Sequence, residues 1–329
     1  MIADWHIWLP VAALALAAER LIGYPAPLQR AIGHPVQWMG GMIAACERGW
    51  NRPTLPPALR TFAGAFAMAL LLLFWGGLAW LISAALTGWL GAYAIAPLML
   101  LATTLLAQRS LREHVAAVAH ALEQAPPGDL APARAALSMI VGRDVSRFDE
   151  SRIAHATVET LAENASDGIV APLFWLMLAG LPGIVAYKLV NTADSMIGHL
   201  NARYRHFGRA AARLDDLMNW IPARLTGLLY ALAAGGGWRC VLRVMWRDAR
   251  KHVSPNAGWP ESAMAAALGV RLGGPRSYQG RVVDFPWLGE GRARLSRADI
   301  HAALALHGRM LNLLLALCVL IAAIFLLLS

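Results

Sequence analysis

Four apolar stretches of this chain approach or reach the roughly 20 residues that a helix needs to cross hydrocarbon. Three are clean, residues 62–86, 89–107 and 308–328, and a weaker one occupies 7–22. The chain is 58% hydrophobic and 15% charged over 329 residues, with a mean hydropathy of +0.49. A water-soluble globule of that composition would lack the polar surface to cover itself. The expected fold is therefore all-α: a polytopic integral membrane protein with about four transmembrane helices, two re-entrant or broken helical hairpins, and amphipathic helices on the cytoplasmic side.

Only Thr87-Gly88 separates the second and third stretches, which predicts a tight hairpin with an uncharged turn. Arg30, Arg48, Arg52 and Arg60 precede this hairpin and Arg109 and Arg112 follow it, so the Lys/Arg bias puts both flanks in the cytoplasm. Asp4 and His6 stand where a signal peptide has basic residues, and Glu19-Arg20 where it has a cleavage site, so residues 7–22 read as an uncleaved first helix. Two further apolar runs are broken by small residues: 169–187 at Gly180-Leu181-Pro182-Gly183, and 217–246 at Gly235-Gly236-Gly237. Both read as re-entrant or shallow hairpins, tolerated where protein surrounds the turn; the alternative is two plain transmembrane helices. Segment 109–167 is mostly helical, with Leu111, Val115, Val118 and Leu122 at helical spacing before a break at Pro126-Pro127-Gly128. Residues 271–299, rich in Gly, Arg and Pro, read as an irregular loop. The whole of 1–329 is expected to form one membrane-embedded domain, with 109–167 and 247–307 as cytoplasmic-side segments.

A net charge of +9 raises the question of nucleic acid. No nucleic-acid-binding motif accompanies the arginines, and positive-inside topology with attraction of anionic substrates accounts for the charge. Cys46, Cys240 and Cys318 lie too far apart for a CxxC pair, which excludes a disulfide framework and a thiolate zinc site. The sequence contains neither HExxH nor a P-loop.

Against the apolar background, polar residues cluster between Asp144 and Gly258. Asp149-Glu150 suits the N-terminus of a helix over 149–164 that sets Glu159 and Glu163 one turn apart, with Asn164 beside them and Asp167 extending the stripe. Carboxylates so spaced repel one another. A divalent cation reverses that sign, and Mg²⁺ suits one or two carboxylates plus phosphates; a solvated acidic face is the plainer reading. On helix 187–198, Lys188, Asn191 and Ser195 share a stripe with Asp194 at its side, a set suited to an anionic ligand or to polar contacts between helices. Asp215 and Asp216 lie four and three residues before Asn219, leaving open which acid accompanies it; Arg224, deep in an apolar run, needs an acidic partner or a phosphate. Lys251-His252 leads into Ser254-Pro255-Asn256-Ala257-Gly258, either an anion cradle or a helix-capping turn. Gly142-Arg143-Asp144 and the histidine of Gly33-His34-Pro35 complete the set, a lone histidine being more often structural than catalytic.

Taken in order, His34-Pro35-Val36 with Gly40, Gly142-Arg143-Asp144, Glu159 with Glu163-Asn164 and Asp167-Gly168, Tyr187-Lys188 with Asn191-Thr192 and Asp194-Ser195-Met196, Asp215-Asp216 with Asn219 and Pro222-Ala223-Arg224, and Ser254 through Gly258 resemble the cobalamin-biosynthesis family of adenosylcobinamide-phosphate synthases. The resemblance spans nearly the whole chain. One departure is Glu19 and Gly23-Tyr24-Pro25, where the family usually has an Asp and a Gly-Asp-Pro. The resemblance implies an inner-membrane enzyme, dependent on ATP and Mg²⁺, that joins the free propionate carboxyl of adenosylcobyric acid to the amine of aminopropanol phosphate or ethanolamine phosphate. An acyl phosphate intermediate is expected. On that basis Glu159, Glu163 and Asp167, with Asp194 or Asp215, are expected to hold Mg²⁺ and nucleotide phosphates. Arg143, Lys188, Arg224 and Lys251 would counter phosphate, with Asn164, Asn191, Ser195, Asn219, Ser254 and Asn256 as further substrate contacts, and His252 or an aspartate would take the ammonium proton. Other classes remain in view: a membrane signalling protein of the β-lactamase-regulator type, and a corrinoid or ion transporter.

Overall fold

The computed structural model of the chain describes residues 5–126, 128–278 and 281–328, so Asp4 and Pro127, both weighed above, lie outside the described residues. The fold is all-α apart from a few very short strands, and four stretches are long and apolar enough to cross a membrane: Trp5–Ile22, Pro57–Gln124, Glu150–Ile197 and Arg297–Leu328. Two compact units form. One takes the chain up to Ala107, Ala171–Asn219 and the part from Leu317 on; the other takes Gln108–Val170 and Trp220–Ala316. The units interleave along the chain, so no linker marks the division and the sequence reads as one domain.

The first unit begins with α1 (Trp5–Ile22), α2 (Ala26–Ile32), α3 (Pro35–Trp50) and α4 (Pro57–Leu90), followed by a 3₁₀ turn at Gly91–Ala94 and α5 (Ile95–Thr103). Its start matches the expected first helix, with Val11, Ala12, Ala15 and Leu16 buried. The expected hairpin turn at Thr87-Gly88 is corrected. Helix continues through both residues, because Thr87 caps its own hydroxyl on Ser83 O and Gly88 meets no obstacle, and the break falls at Gly91, where φ is +53°. The 89–107 run is likewise corrected: nine residues of α5 rise only about 14 Å, too little for a separate crossing. In the Pro57–Gln124 stretch only 22% of the most apolar window is buried inside the protein, and Phe62, Phe66, Leu73 and Leu81 face outward, as lipid contact requires.

The second unit opens with α6 (Gln108–Gln124), α7 (Ala131–Ser138) and α8 (Glu150–Ala165), which runs into a π turn at Ser166–Val170. The helical spacing of Leu111, Val115, Val118 and Leu122 holds, and all four are buried. Asp149 caps α8 by accepting from the Arg152 amide.

Back in the first unit, α9 (Ala171–Ile197) is the element on which α1, α3, α4 and α10 (Arg209–Met218) all pack. The break predicted in 169–187 is present at Ala179-Gly180, where Gly180 has φ +64° and ψ −154°, a conformation essentially reserved for glycine. A Cβ there would also lie 2.4 Å from the Trp8 ring.

The second unit resumes with α11 (Trp220–Ala233), a 3₁₀ turn at Gly235–Gly237, α12 (Trp238–Asp248), a further 3₁₀ turn at Ala249–Lys251, and α13 (Gly258–Leu268). This is the broken hairpin expected over 217–246. At 14 and 11 residues its arms rise roughly 21 and 16 Å, and both pack on the alanine-rich α13, which is buried from Gly258 to Ala265. The irregular loop expected at 271–299 is corrected in part: β1 (Leu272–Gly273) pairs antiparallel with β4 (Trp287–Leu288), and β2 (Arg276–Tyr278) with β3 (Arg281–Val283). The last helix, α14 (Arg297–Leu328), starts well before the apolar run at 308.

Gly180→Ala is expected to cost about 1–3 kcal/mol from backbone conformation alone, with the Trp8 contact adding to it. Gly236→Ala, whose Cβ meets nothing within 4 Å, should leave stability unchanged. Thermal melting of the two variants in detergent distinguishes them; equal melting temperatures would refute the strain argument.

Candidate functional site

In the first unit the polar residues of α9 meet those at the end of α10. Tyr187 Oη donates to Asn219 Oδ1 at 2.9 Å, Asn219 Nδ2 donates to Asp215 Oδ2 at 3.0 Å, and Asn191 Nδ2 donates to Asp215 Oδ1 at 3.3 Å. Tyr187 and Asn219 are fully buried and Asp215 nearly so. The open choice between the two acids is thereby resolved: Asp215 accompanies Asn219, while Asp216 is exposed. Burial, and then the nearby Asp194 carboxylate, push the Asp215 carboxyl up to about 6 against two stabilising amide donors. Neutral donors cannot cancel the cost of a desolvated charge beside a like charge. Lys188 and Asp194 are half-buried on the same helix, and Ser195 is exposed with its hydroxyl returned to Asn191 O.

In the second unit Glu159 and Glu163 of α8 separate. Glu159 is buried, Oε2 accepting from Arg143 Nη2 at 3.1 Å and Oε1 from the Gly273 amide at 2.9 Å, with His155 Nδ1 3.6 Å away. Its carboxylate thus fastens the β1 turn to α8. Glu163 is exposed, and Asp167, on the π turn, is half-buried, as is Asn164, whose amide donates to Thr160 O. The π turn shifts Asp167 off the strict i, i+4 stripe, a geometry often met at functional sites.

A second buried acid, Asp248, plays a parallel part. Arg247 donates to both its oxygens, Lys251 Nζ to Oδ1 at 2.6 Å and the Gly289 amide to Oδ2 at 2.9 Å. Burial alone would raise this carboxyl; the three sets of donors outweigh it and hold it down at about 2. Arg143 and Lys251, expected to counter phosphate, are therefore ion-paired with acids of their own unit. His252 Nδ1 accepts from the Ser254 amide at 3.0 Å and Nε2 lies 3.8 Å from Glu261. Ser254 Oγ accepts from the Asn256 and Ala257 amides, the capping geometry, with Asn256 buried behind it. Arg224 meets the need for a partner in another way. Its guanidinium lies between the Trp220 and Trp259 rings, 4.2 and 4.4 Å from their centroids, with no carboxylate paired to it among the described residues.

The residues present fit a Mg²⁺ ion only in a restricted sense. Among the described residues no group of three or more His, Cys, Asp or Glu side chains is placed to hold a metal. Glu159 has both oxygens engaged, and Asp215 is bonded to two amides and favours its protonated form. Glu163 is exposed and Asp167 half-buried, and two carboxylates suit an ion carried largely by phosphate and water.

Some roles escaped sequence reading. Glu47 accepts a bidentate pair from Arg203, and Asn51 joins it to Arg60 and to Arg203 O, fixing the loop after α9. His34 is structural, its Nδ1 and Gln37 forming a reciprocal cap on α3. Tyr24, at the departure near α1, donates to Gly33 O at 2.7 Å. The Glu47-Asn51, Asp248-Lys251 and His34-Gln37 spacings offered local signals.

The family model described as CobD/Cbib protein matches residues 12–307. Relatives named "Cobalamin biosynthesis protein CobD" include one from Rhodobacter capsulatus, 50% identical over 90% of this chain and 91% of its own length. Others are from Brucella suis, 48% identical over 94% and 95%, and Yersinia enterocolitica, 43% identical over 86% and 89%. No solved structure matches.

Because the folded Asp215 carboxyl titrates above its ordinary value of 3.8, its contribution to stability is present in full below that value and is lost as pH rises through about 6. Melting temperature should therefore fall between pH 4 and 6 in the wild type, and Asp215→Asn should flatten that segment. Asp248→Asn removes a charge that holds two cations and a loop amide. Hydrogen exchange at Gly289 is expected to accelerate at least about tenfold, consistent with loss of charge-assisted bonds worth roughly 1.5–3 kcal/mol each; unchanged protection would refute the anchoring role.

Proposed function

Given that this chain belongs to the CobD/Cbib protein family, we propose that it acts in cobalamin biosynthesis as an adenosylcobinamide-phosphate synthase. It is an ATP-dependent acid–amine ligase of a bacterial inner membrane, working from the cytoplasmic side. Its substrates are adenosylcobyric acid and aminopropanol phosphate or ethanolamine phosphate. The observation that carries this reading is the match over residues 12–307, which includes every polar cluster described above.

Amide formation from a carboxylate requires an activated acyl group, a neutral amine and cover for phosphate charge. The propionate oxygen attacks the γ-phosphorus of ATP and ADP leaves, giving an acyl phosphate. The ammonium of the amino-alcohol phosphate gives up one proton, its nitrogen attacks the acyl carbon, and phosphate departs as hydrogen phosphate with the second proton. Glu163 and Asp167 would hold Mg²⁺, which would supply neutralisation of phosphate charge. Lys188, on the α9 stripe with Asn191 and Ser195, and Arg224 are the cations for phosphate, while Arg143 and Lys251 anchor Glu159 and Asp248. Asp215, with Asp194 beside it, is better suited than His252 to take the ammonium proton. Its carboxyl titrates near neutrality, whereas His252 spends Nδ1 on the Ser254 amide. Asn191 and Asn219 orient that carboxylate, and Asn256 serves as a substrate contact.

Mass spectrometry of purified membranes given adenosylcobyric acid, aminopropanol phosphate, ATP and Mg²⁺ should show the amide product with ADP. Glu163→Ala, Lys188→Ala and Asn256→Ala should each lower kcat/KM by roughly 10²-fold or more. Product formed without ATP would overturn the ligase mechanism, and normal turnover in all three variants would overturn the assignment of residues.

A further inference from the structure

Helix α12 is divided lengthwise. Val241, Val244, Met245 and Asp248 are buried, whereas Arg239, Arg243, Trp246 and Arg247 are exposed, and at 100° per residue these four fall within about a quarter of the circumference. Arg250, in the turn that follows, is exposed too. Arg247 is engaged by Asp248 and Glu290. Arg239, Arg243 and Arg250 have no carboxylate paired to them among the described residues; Arg239 only leans on the Trp238 ring at 5.3 Å. Three cations without a carboxylate partner, on a face whose acid Glu290 is taken by Arg247, are an unbalanced field that attracts anions.

What lies next to this face in the same hairpin selects the anion. The other arm, α11, leaves Ile221, Leu225, Leu228 and Leu232 exposed, and Trp220, Trp238 and Trp246 are exposed around the two arms. Neither arm is long enough to cross hydrocarbon. Exposed aliphatic side chains, exposed tryptophans and a row of guanidiniums are the three parts of an interfacial hairpin. The aliphatic groups enter the acyl boundary, indoles sit at headgroup depth and arginines meet phosphate. A soluble polyanion would instead be met by cations converging on one point, whereas these are strung along the helix and the turn after it, one and then about two turns apart.

We propose that the exposed face of α12, through Arg239, Arg243 and Arg250, binds the headgroups of anionic phospholipids and holds the α11–α12 hairpin at the bilayer surface. Arg224 supports the electrostatic part: burial, and then Arg250, lower the pKa of its guanidinium, as expected where cations gather without acids.

The test uses the full chain in nanodiscs of phosphatidylcholine with or without phosphatidylglycerol, with retained lipid read by native mass spectrometry. The wild type should enrich phosphatidylglycerol at low salt and lose that enrichment as salt rises. Combined Arg239→Gln, Arg243→Gln and Arg250→Gln should weaken enrichment by about tenfold or more, whereas replacing the same three residues by Lys should preserve it. Equal enrichment by the wild type and the Gln variant would overturn the proposal. So would a wild type showing no preference at low salt, a result that does not depend on how the variant folds. Inorganic phosphate displacing the lipid at matched concentration would assign the face to a soluble anion and overturn it as well.

Discussion

Hydrocarbon offers no partner to a charge or to an open peptide group, and this absence organises the chain. The longest apolar helix turns large apolar side chains outward, as Phe62, Leu73 and Leu81 do on α4. Where α9 breaks, protein surrounds the break: the kink at Gly180 sits against Trp8, and 61% of the most apolar window of Glu150–Ile197 is buried inside the protein. Acids taken out of water likewise come with donors. Glu47, Glu159 and Asp248 each accept from a cation and from a further amide, either in a side chain or in the backbone.

The same physics sorts carboxylates that look alike in the sequence. Glu159 and Asp248 receive cationic donors and loop amides and act as anchors for the segment between α13 and α14. Asp215 receives only neutral amides, lies near Asp194 and is held where a proton moves readily. A buried acid with a cation is structure; a buried acid without one is a reservoir of protonation energy, the kind of group that acid–base chemistry uses.

Much of the architecture was legible because it is written locally. The cap at Asp149, the buried stripe of α6 and the breaks at Gly180 and Gly235–Gly237 each follow from residue types a few positions apart. The turn after α4 was misplaced because Thr87 and Gly88 both fit inside a helix, and only a positive φ at Gly91 marks the true end. The short ladders of 271–299 run two or three residues per strand, too few for alternation to show. Pairings were the least legible: Arg143 meets Glu159 across 16 positions and Arg203 meets Glu47 across 156. Such distances in sequence carry no pattern. Arg224 was expected to need an acid or a phosphate; among the described residues it pairs with no carboxylate, and it lies part-exposed against two indoles instead.

The glycine tip between α11 and α12 has a practical corollary. Gly236 and Gly237 have ordinary backbone angles and open space where a side chain would go, so the fold does not depend on their being small. A cysteine or a short epitope placed there becomes an address label. Its reaction with impermeant reagents, applied to sealed vesicles of known orientation, reads out which compartment the hairpin occupies without disturbing the buried acids that hold the rest together.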